Sequence, residues 1–185
     1  VKTIFENEGE NLFVTTIVDI EVKVLFVKAY QFKQFSKETW LEGEFIKFDG
    51  HTDFEDEREY FIRGKDIDNI FLASGMDGEL KLDKSILPLN YWNKEILKQK
   101  EIFDTQKGIV REIQVTKLQD EEIEINDKKI LAEKYLFNAT KHPKDKGPFP
   151  EYTLWYAKNK ELLKFRFINW KDKKEVITIR NNWDQ

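Results

Sequence analysis

Every second residue of Val18-Asp19-Ile20-Glu21-Val22-Lys23-Val24 is apolar, and every residue between is charged. Such a period of two puts all the apolar side chains on one side of an extended strand, whereas a helix would scatter them around its circumference. The same alternation returns in Glu122-Ile123-Glu124-Ile125-Asn126 and in Leu163-Lys164-Phe165-Arg166-Phe167. It recurs in looser form over Ile113–Leu118, Ile130–Phe137 and Glu175–Arg180. A chain built this way must pair its strands and cover their apolar side.

The punctuation is that of hairpins. Glu42-Gly43, Asp49-Gly50, Asp77-Gly78 and Lys107-Gly108 each separate two strand-like runs, and Asn126-Asp127-Lys128, Lys158-Asn159-Lys160 and Lys171–Lys174 are polar turns. No strands alternate with long helices, so the pairing predicted is antiparallel. Asn93 is placed to cap one short helix through Lys100, with Glu95 in its first turn and Ile96 and Leu97 facing inward. Lys141–Pro150 holds three of the four prolines and reads as a loop within one domain. The fold class expected is mainly β: a curled antiparallel meander, half-barrel or open barrel, spanning residues 1–185 as a single domain with one short helix.

Fifteen Phe, six Tyr and five Trp stand against one Met, enough to build an aromatic core, each buried Phe contributing about 1.5–3 kcal/mol. The absence of cysteine excludes disulfides, thiolate metal sites and thiol nucleophiles. Charged residues make up 36%, but their signs nearly cancel at a net −4. No basic excess is available for a nucleic-acid grip, and the average offers no sign of an anionic-membrane binder. No uninterrupted apolar run exceeds four residues, as in Val24–Val27 and Ile70–Ala73, so no transmembrane helix is expected.

No nucleophile elbow, phosphate loop, dinucleotide fingerprint or zinc motif occurs, and no cofactor is expected. His51, Asp53 and Glu55 share one face if a strand continues that far, which would be a possible metal set. The charge density of residues 53–59 points instead to a solvated turn, and no metal site is assigned. His142, in the Pro-rich loop near Asp145, has no identified partner, and carboxylate pairs such as Asp19/Glu21 are inevitable among 35 acidic residues. The sequence does not name a reaction, and a non-catalytic role is favoured.

Leu87-Pro88-Leu89-Asn90-Tyr91-Trp92-Asn93 gathers two large aromatics and two amides where a strand gives way to the helix. Tyr and Trp join an apolar body to a polar tip, which suits the mouth of a cavity, although the plainer reading is a structural plug sealing one end of the sheet with Asn93 as the cap. Asn90, Tyr91, Trp92 and Asn93 are therefore candidate ligand-binding residues, with Trp155 and Tyr156 carrying the same two readings on a later strand.

At these residues the chain resembles a secreted bacterial domain-of-unknown-function family (number six-one-three-four). The matches run in order through Glu38-Thr39-Trp40, Gly43, His51-Thr52-Asp53, Pro88–Asn93, Phe103–Gly108, Tyr135-Leu136-Phe137 and Leu154-Trp155-Tyr156, covering roughly residues 10–180. The resemblance implies a curved sheet similar to that of LolA-like lipoprotein carriers, export to the periplasm or cell envelope, and a hydrophobic concavity. It supplies no catalytic residue. Ala157 stands where the family often has an acidic residue. The family's first strand and glycine turn are expected ahead of Val1, which would leave a sheet edge exposed or paired with another chain. A signal peptide removed upstream of Val1 would leave a mature chain of this kind. Two functional expectations follow: a binding or carrier module for a lipid-like or other hydrophobic ligand, or a structural subunit holding an envelope protein partner. An enzyme of unknown reaction is third.

Overall fold

Alternation becomes strand pairing almost from end to end. The computed structural model describes residues 1–24, 27–55 and 59–181, without the side chains of 22–30. By the packing of its backbone the chain divides into two compact units, Val1–Pro88 with Phe103–Val110, and Leu89–Ile102 with Arg111–Gln185.

The first unit holds a seven-stranded antiparallel meander. Its strands are β1 (Lys2–Glu8), β2 (Asn11–Val24), β3 (Val27–Leu41), β4 (Glu44–Asp53), β5 (Tyr60–Ile67), β6 (Ile70–Gly75) and β7 (Gly78–Asp83), each paired with the next in sequence. In β2 the expected segregation holds where side chains are described: Val18 and Ile20 are half-buried while Asp19 and Glu21 are exposed. The side chains of Val22 and Val24 lie outside the described residues.

Glu42-Gly43 and Asp77-Gly78 form turns, with Glu42, Gly43 and Gly78 at positive φ. Asp49-Gly50 does not: it lies inside β4, paired with β3 and β5. Gly50 is used there for space, since a Cβ would sit 2.6 Å from Cε1 of the Phe48 ring that covers it.

Phe45 and Phe48, three apart on β4, are both buried. A bulge between Thr39 and Trp40 makes this possible by breaking the period of two. They join Trp40, Phe71 and Phe103, with Phe45 stacked on Phe71 at 4.7 Å and Phe103 edge-on to Phe48 and Phe71 at 5.9 and 5.8 Å. Phe103 arrives on a later segment, Phe103–Val110, which belongs to this unit. That segment turns at Lys107-Gly108, and Met76 N–H donates to Lys107 O at 2.7 Å.

After the short β8 (Leu87–Pro88) and β9 (Glu101–Asp104), the strands β10 (Ile109–Lys117, in the second unit from Arg111 on), β12 (Lys128–Ala139), β13 (Tyr152–Tyr156), β14 (Leu162–Ile168) and β15 (Glu175–Ile179) pair antiparallel in the order β15-β14-β13-β12-β10. β11 (Glu121–Ile125) pairs with the first half of β12 through a turn with Asn126 and Asp127 at positive φ. The expected helix is a 3₁₀ segment, Lys94–Lys98, two residues shorter than Lys100. Asn93 caps it by accepting from Glu95 N–H, Ile96 is fully buried, and Leu97 is half-buried.

One alternation is interrupted. A bulge between Trp155 and Tyr156 pairs Lys164 with Trp155 but Leu162 with Tyr156. Leu163 therefore joins the cluster of Ile123, Ile125, Ala132, Trp155 and Ala157, whereas Phe165 and Phe167 lie against Tyr152 on the other side. The molecule is mainly β, with one short helix and no closed barrel among the described residues.

Candidate functional site

The outward side of the first sheet carries an apolar row that crosses four strands. Ile17 on β2 is registered with Phe35 on β3, Phe35 with His51 on β4, and His51 with Phe61 on β5. Directly opposed residues point to the same face with Cβ atoms about 4.5–5.5 Å apart, so the four side chains form one continuous line. Ile17 is 41% exposed, Phe35 50% and Phe61 66%. His51 stacks on Phe61, and its Nε2 meets Glu59 Oε2 at 2.8 Å.

Charges border this row on both sides. One flanking line runs Thr15, Lys37, Asp49, Arg63, and the other runs Asp19, Lys33, Asp53. Both alternate in sign from strand to strand, so the border carries little net charge. An apolar centre with a polar rim of mixed sign is the anatomy of a protein–protein contact.

The inward side of β3 differs from the expected oily face. Phe32 and Trp40 are buried as the pattern demands, but Gln34, Ser36 and Glu38 between them are buried too. Trp40 Nε1 donates to Glu38 Oε2 at 2.9 Å, and Gln34 Nε2 donates to Thr105 O at 3.5 Å. Lys107, also buried, lies over the Phe54 and Tyr60 rings at 4.9 and 5.8 Å. These contacts tie Phe103–Val110 to β3 and β5. Thr52, on β4 opposite Gln34, has a fully buried hydroxyl with no hydrogen-bond partner among the described residues.

The residues singled out in the sequence fall in the second unit. Asn90 is buried and its Oδ1 accepts from Asn93 N–H at 3.2 Å, while Asn93 caps the 3₁₀ segment; both amides hold the turn. The Tyr91 ring sits among Phe137, Tyr152 and Phe165 at 4.6–5.9 Å. Tyr156 is fully buried and its hydroxyl donates to Tyr91 O at 2.8 Å; burial pushes that hydroxyl far above the ordinary tyrosine range. Trp92 is half-buried. The structure thus brings Tyr91 and Tyr156 together, and the strand's alternation turns Trp155 to the opposite face.

Two further groupings escaped the sequence. Lys94 pairs with Glu133 and lies over the Tyr135 and Tyr156 rings at 5.4 and 5.7 Å. The Lys94 hydrogen bond holds the Glu133 carboxyl below its usual range, and burial together with Glu133 raises Tyr135. Arg111 on β10 forms a buried two-pronged pair with Asp145, Nη1–Oδ2 2.7 Å and Nη2–Oδ1 3.2 Å, and donates to Thr140 O at 2.8 Å. The Asp145 carboxylate also accepts from His142 N–H, which gives that loop histidine a place in the loop's own framework.

The possible metal set of His51, Asp53 and Glu55 does not form. Asp53 Oδ1 accepts from Glu55 N–H, Glu55 turns to positive φ, and no group of metal-binding side chains occurs among the described residues.

An antiparallel β protein with an exposed apolar row and tightly packed aromatic interiors is the class these observations define. Residues 1–177 match the family model described as a domain of unknown function (DUF6134), and the chain belongs to that family. No match is found among curated proteins or among solved structures.

Proposed function

We propose that the protein is a non-catalytic interaction module of the bacterial envelope, which holds a protein partner on the Ile17–Phe35–His51–Phe61 row. The observation that carries this reading is the exposure of Phe35 and Phe61 on one registered line bordered by charges of alternating sign. Exposed apolar surface of this kind marks contact sites. Envelope location and export rest on the sequence resemblance, and the reading frame ahead of Val1 tests them: a charged start, an apolar run and a small-residue cleavage site are expected. The docking face is tested by comparing the proteins retained by the native chain and by a Phe35→Ser/Phe61→Ser variant. A partner held by both alike would refute it.

The second reading is a carrier with an apolar concavity for a lipid-like ligand. The aromatic cluster around Tyr91 speaks for it. Against it, the inward face of the first sheet is occupied by its own Trp40, Phe45, Phe48 and Phe71 side chains. Co-purified lipid in native mass spectra would bring this reading back to the front.

A further inference from the structure

A net charge of −4 over the whole chain conceals a strongly basic hairpin. Residues 162–180 contain six cationic side chains, Lys164, Arg166, Lys171, Lys173, Lys174 and Arg180, against two carboxylates, Asp172 and Glu175. They form β14, β15 and the turn between them. Arg166 pairs with Glu175 at 3.0 Å and Arg180 with Glu161 at 3.4 Å. Lys164 is attracted by the Glu121 carboxylate, whereas Lys173 and Lys174 have no side-chain carboxylate partner among the described residues and are both exposed.

The hairpin's two faces differ sharply. Phe165 and Phe167 pack against Tyr152. On the opposite face the register sets Lys164 beside Ile179, Arg166 beside Ile177, and Ile168 beside Glu175. Ile168 is 51% exposed, Ile177 48% and Ile179 46%. Lys164 lies over the buried Trp155 ring at 4.5 Å, which fixes its stem on this face. At the turn, Trp170 is half-buried against Gly147, with Lys171 over its ring at 5.7 Å.

Three exposed isoleucines interleaved with cations would be poorly served by a soluble polyanion, which satisfies the charge and leaves the apolar area wet. An anionic bilayer offers both: headgroups for the lysines and an acyl boundary for the isoleucines. We propose that the β14–β15 hairpin docks on an anionic lipid surface, with Lys173 and Lys174 among the headgroups and Ile168, Ile177 and Ile179 against the acyl boundary. This site lies in the second unit and is independent of the row on the first sheet.

The test is co-sedimentation of the full chain with phosphatidylcholine vesicles, with and without phosphatidylglycerol. Binding only to the mixed vesicles is expected. Lys173→Gln/Lys174→Gln, confined to the turn, should weaken partitioning by about fivefold per lysine, on the order of twenty-five-fold in all. Ile177→Ser/Ile179→Ser should weaken it further at an unchanged Tm. No sedimentation with phosphatidylglycerol vesicles would overturn the proposal. So would a serine variant that binds as the native chain does while dextran sulfate competes fully, because the site would then be one for a polyanion.

Discussion

The His51 imidazole lies flat on the Phe61 ring, with centroids 4.5 Å apart and planes 8° from parallel, while Nε2 faces the Glu59 carboxylate at 2.8 Å. The stack holds Phe61 upright although it is 66% exposed. A side chain ordered before contact loses less entropy on binding than a mobile one.

Phe35→Ser/Phe61→Ser removes the aromatic part of the row without touching the interior. Folding stability should change by no more than about 1 kcal/mol per site, the worth of the cross-strand contacts each ring makes, while partner retention is lost. Urea unfolding beside a binding assay separates the two. Stability that fell with binding would place these rings in the fold instead.

Gly75→Ala probes how Phe103–Val110 is joined to the sheet. A Cβ at Gly75 would lie 2.4 Å from Gly108 Cα and 2.6 Å from Lys107 O, both backbone atoms that cannot rotate away. Overpacking of this kind costs about 1–3 kcal/mol or more. A lowered urea midpoint is expected, and an unchanged midpoint would mean that the segment shifts freely.

Thr52→Val should be neutral or stabilising by about 1 kcal/mol, because it deletes a buried hydroxyl that has no partner among the described residues. Thermal unfolding reads it directly. A marked loss of stability would show that the hydroxyl is satisfied in solution.

The meander was legible because its cause is local: period-two patterning and turn residues act within a few positions. The inward polar row of Gln34, Ser36 and Glu38 was legible in principle, since they share parity with Phe32 and Trp40. A pattern of charge outside and oil inside does not mark it, because Gln34, Ser36 and Glu38 put polar groups at the buried parity. Asp49-Gly50 misled because a glycine that makes room for Phe48 and a glycine that turns the chain look alike in sequence. The bulges at Thr39/Trp40 and Trp155/Tyr156 are set by partner strands, so period two alone could not place Phe45 or Leu163. The basic hairpin was hidden by averaging charge over the chain.

Acid should release the Lys94–Glu133 tie. Lys94 holds the Glu133 carboxyl below its ordinary value, and Lys134 does the same for Glu121. A depressed folded pKa contributes stability above the unfolded value of about 4.3, and that contribution is lost as pH falls through the folded value. Urea midpoints measured down to pH 3 should fall, and a Lys94→Met/Lys134→Met variant should show a shallower fall. Parallel acid limbs in native chain and variant would remove these pairs as its cause.

Arg111 and Asp145 are 34 positions apart, and nothing local in the sequence pairs them. Their side chains are only 4% and 6% exposed, and Arg111 also lies over Phe149 at 5.3 Å. The pair ties β10 to the Pro-rich loop, whose own turn is closed by Asp145 N–H donating to His142 O at 2.9 Å. Asp145→Asn keeps the shape but leaves the guanidinium buried without its counter-charge, which costs about 3–5 kcal/mol. Arg111→Met should cost a similar amount by stranding the carboxylate. Arg111→Met/Asp145→Leu strands neither charge, so its loss should fall well short of the sum of the single losses. A double-mutant cycle in urea measures that coupling. Additive losses would mean that the two side chains act separately, and that the loop is held by its backbone contacts alone.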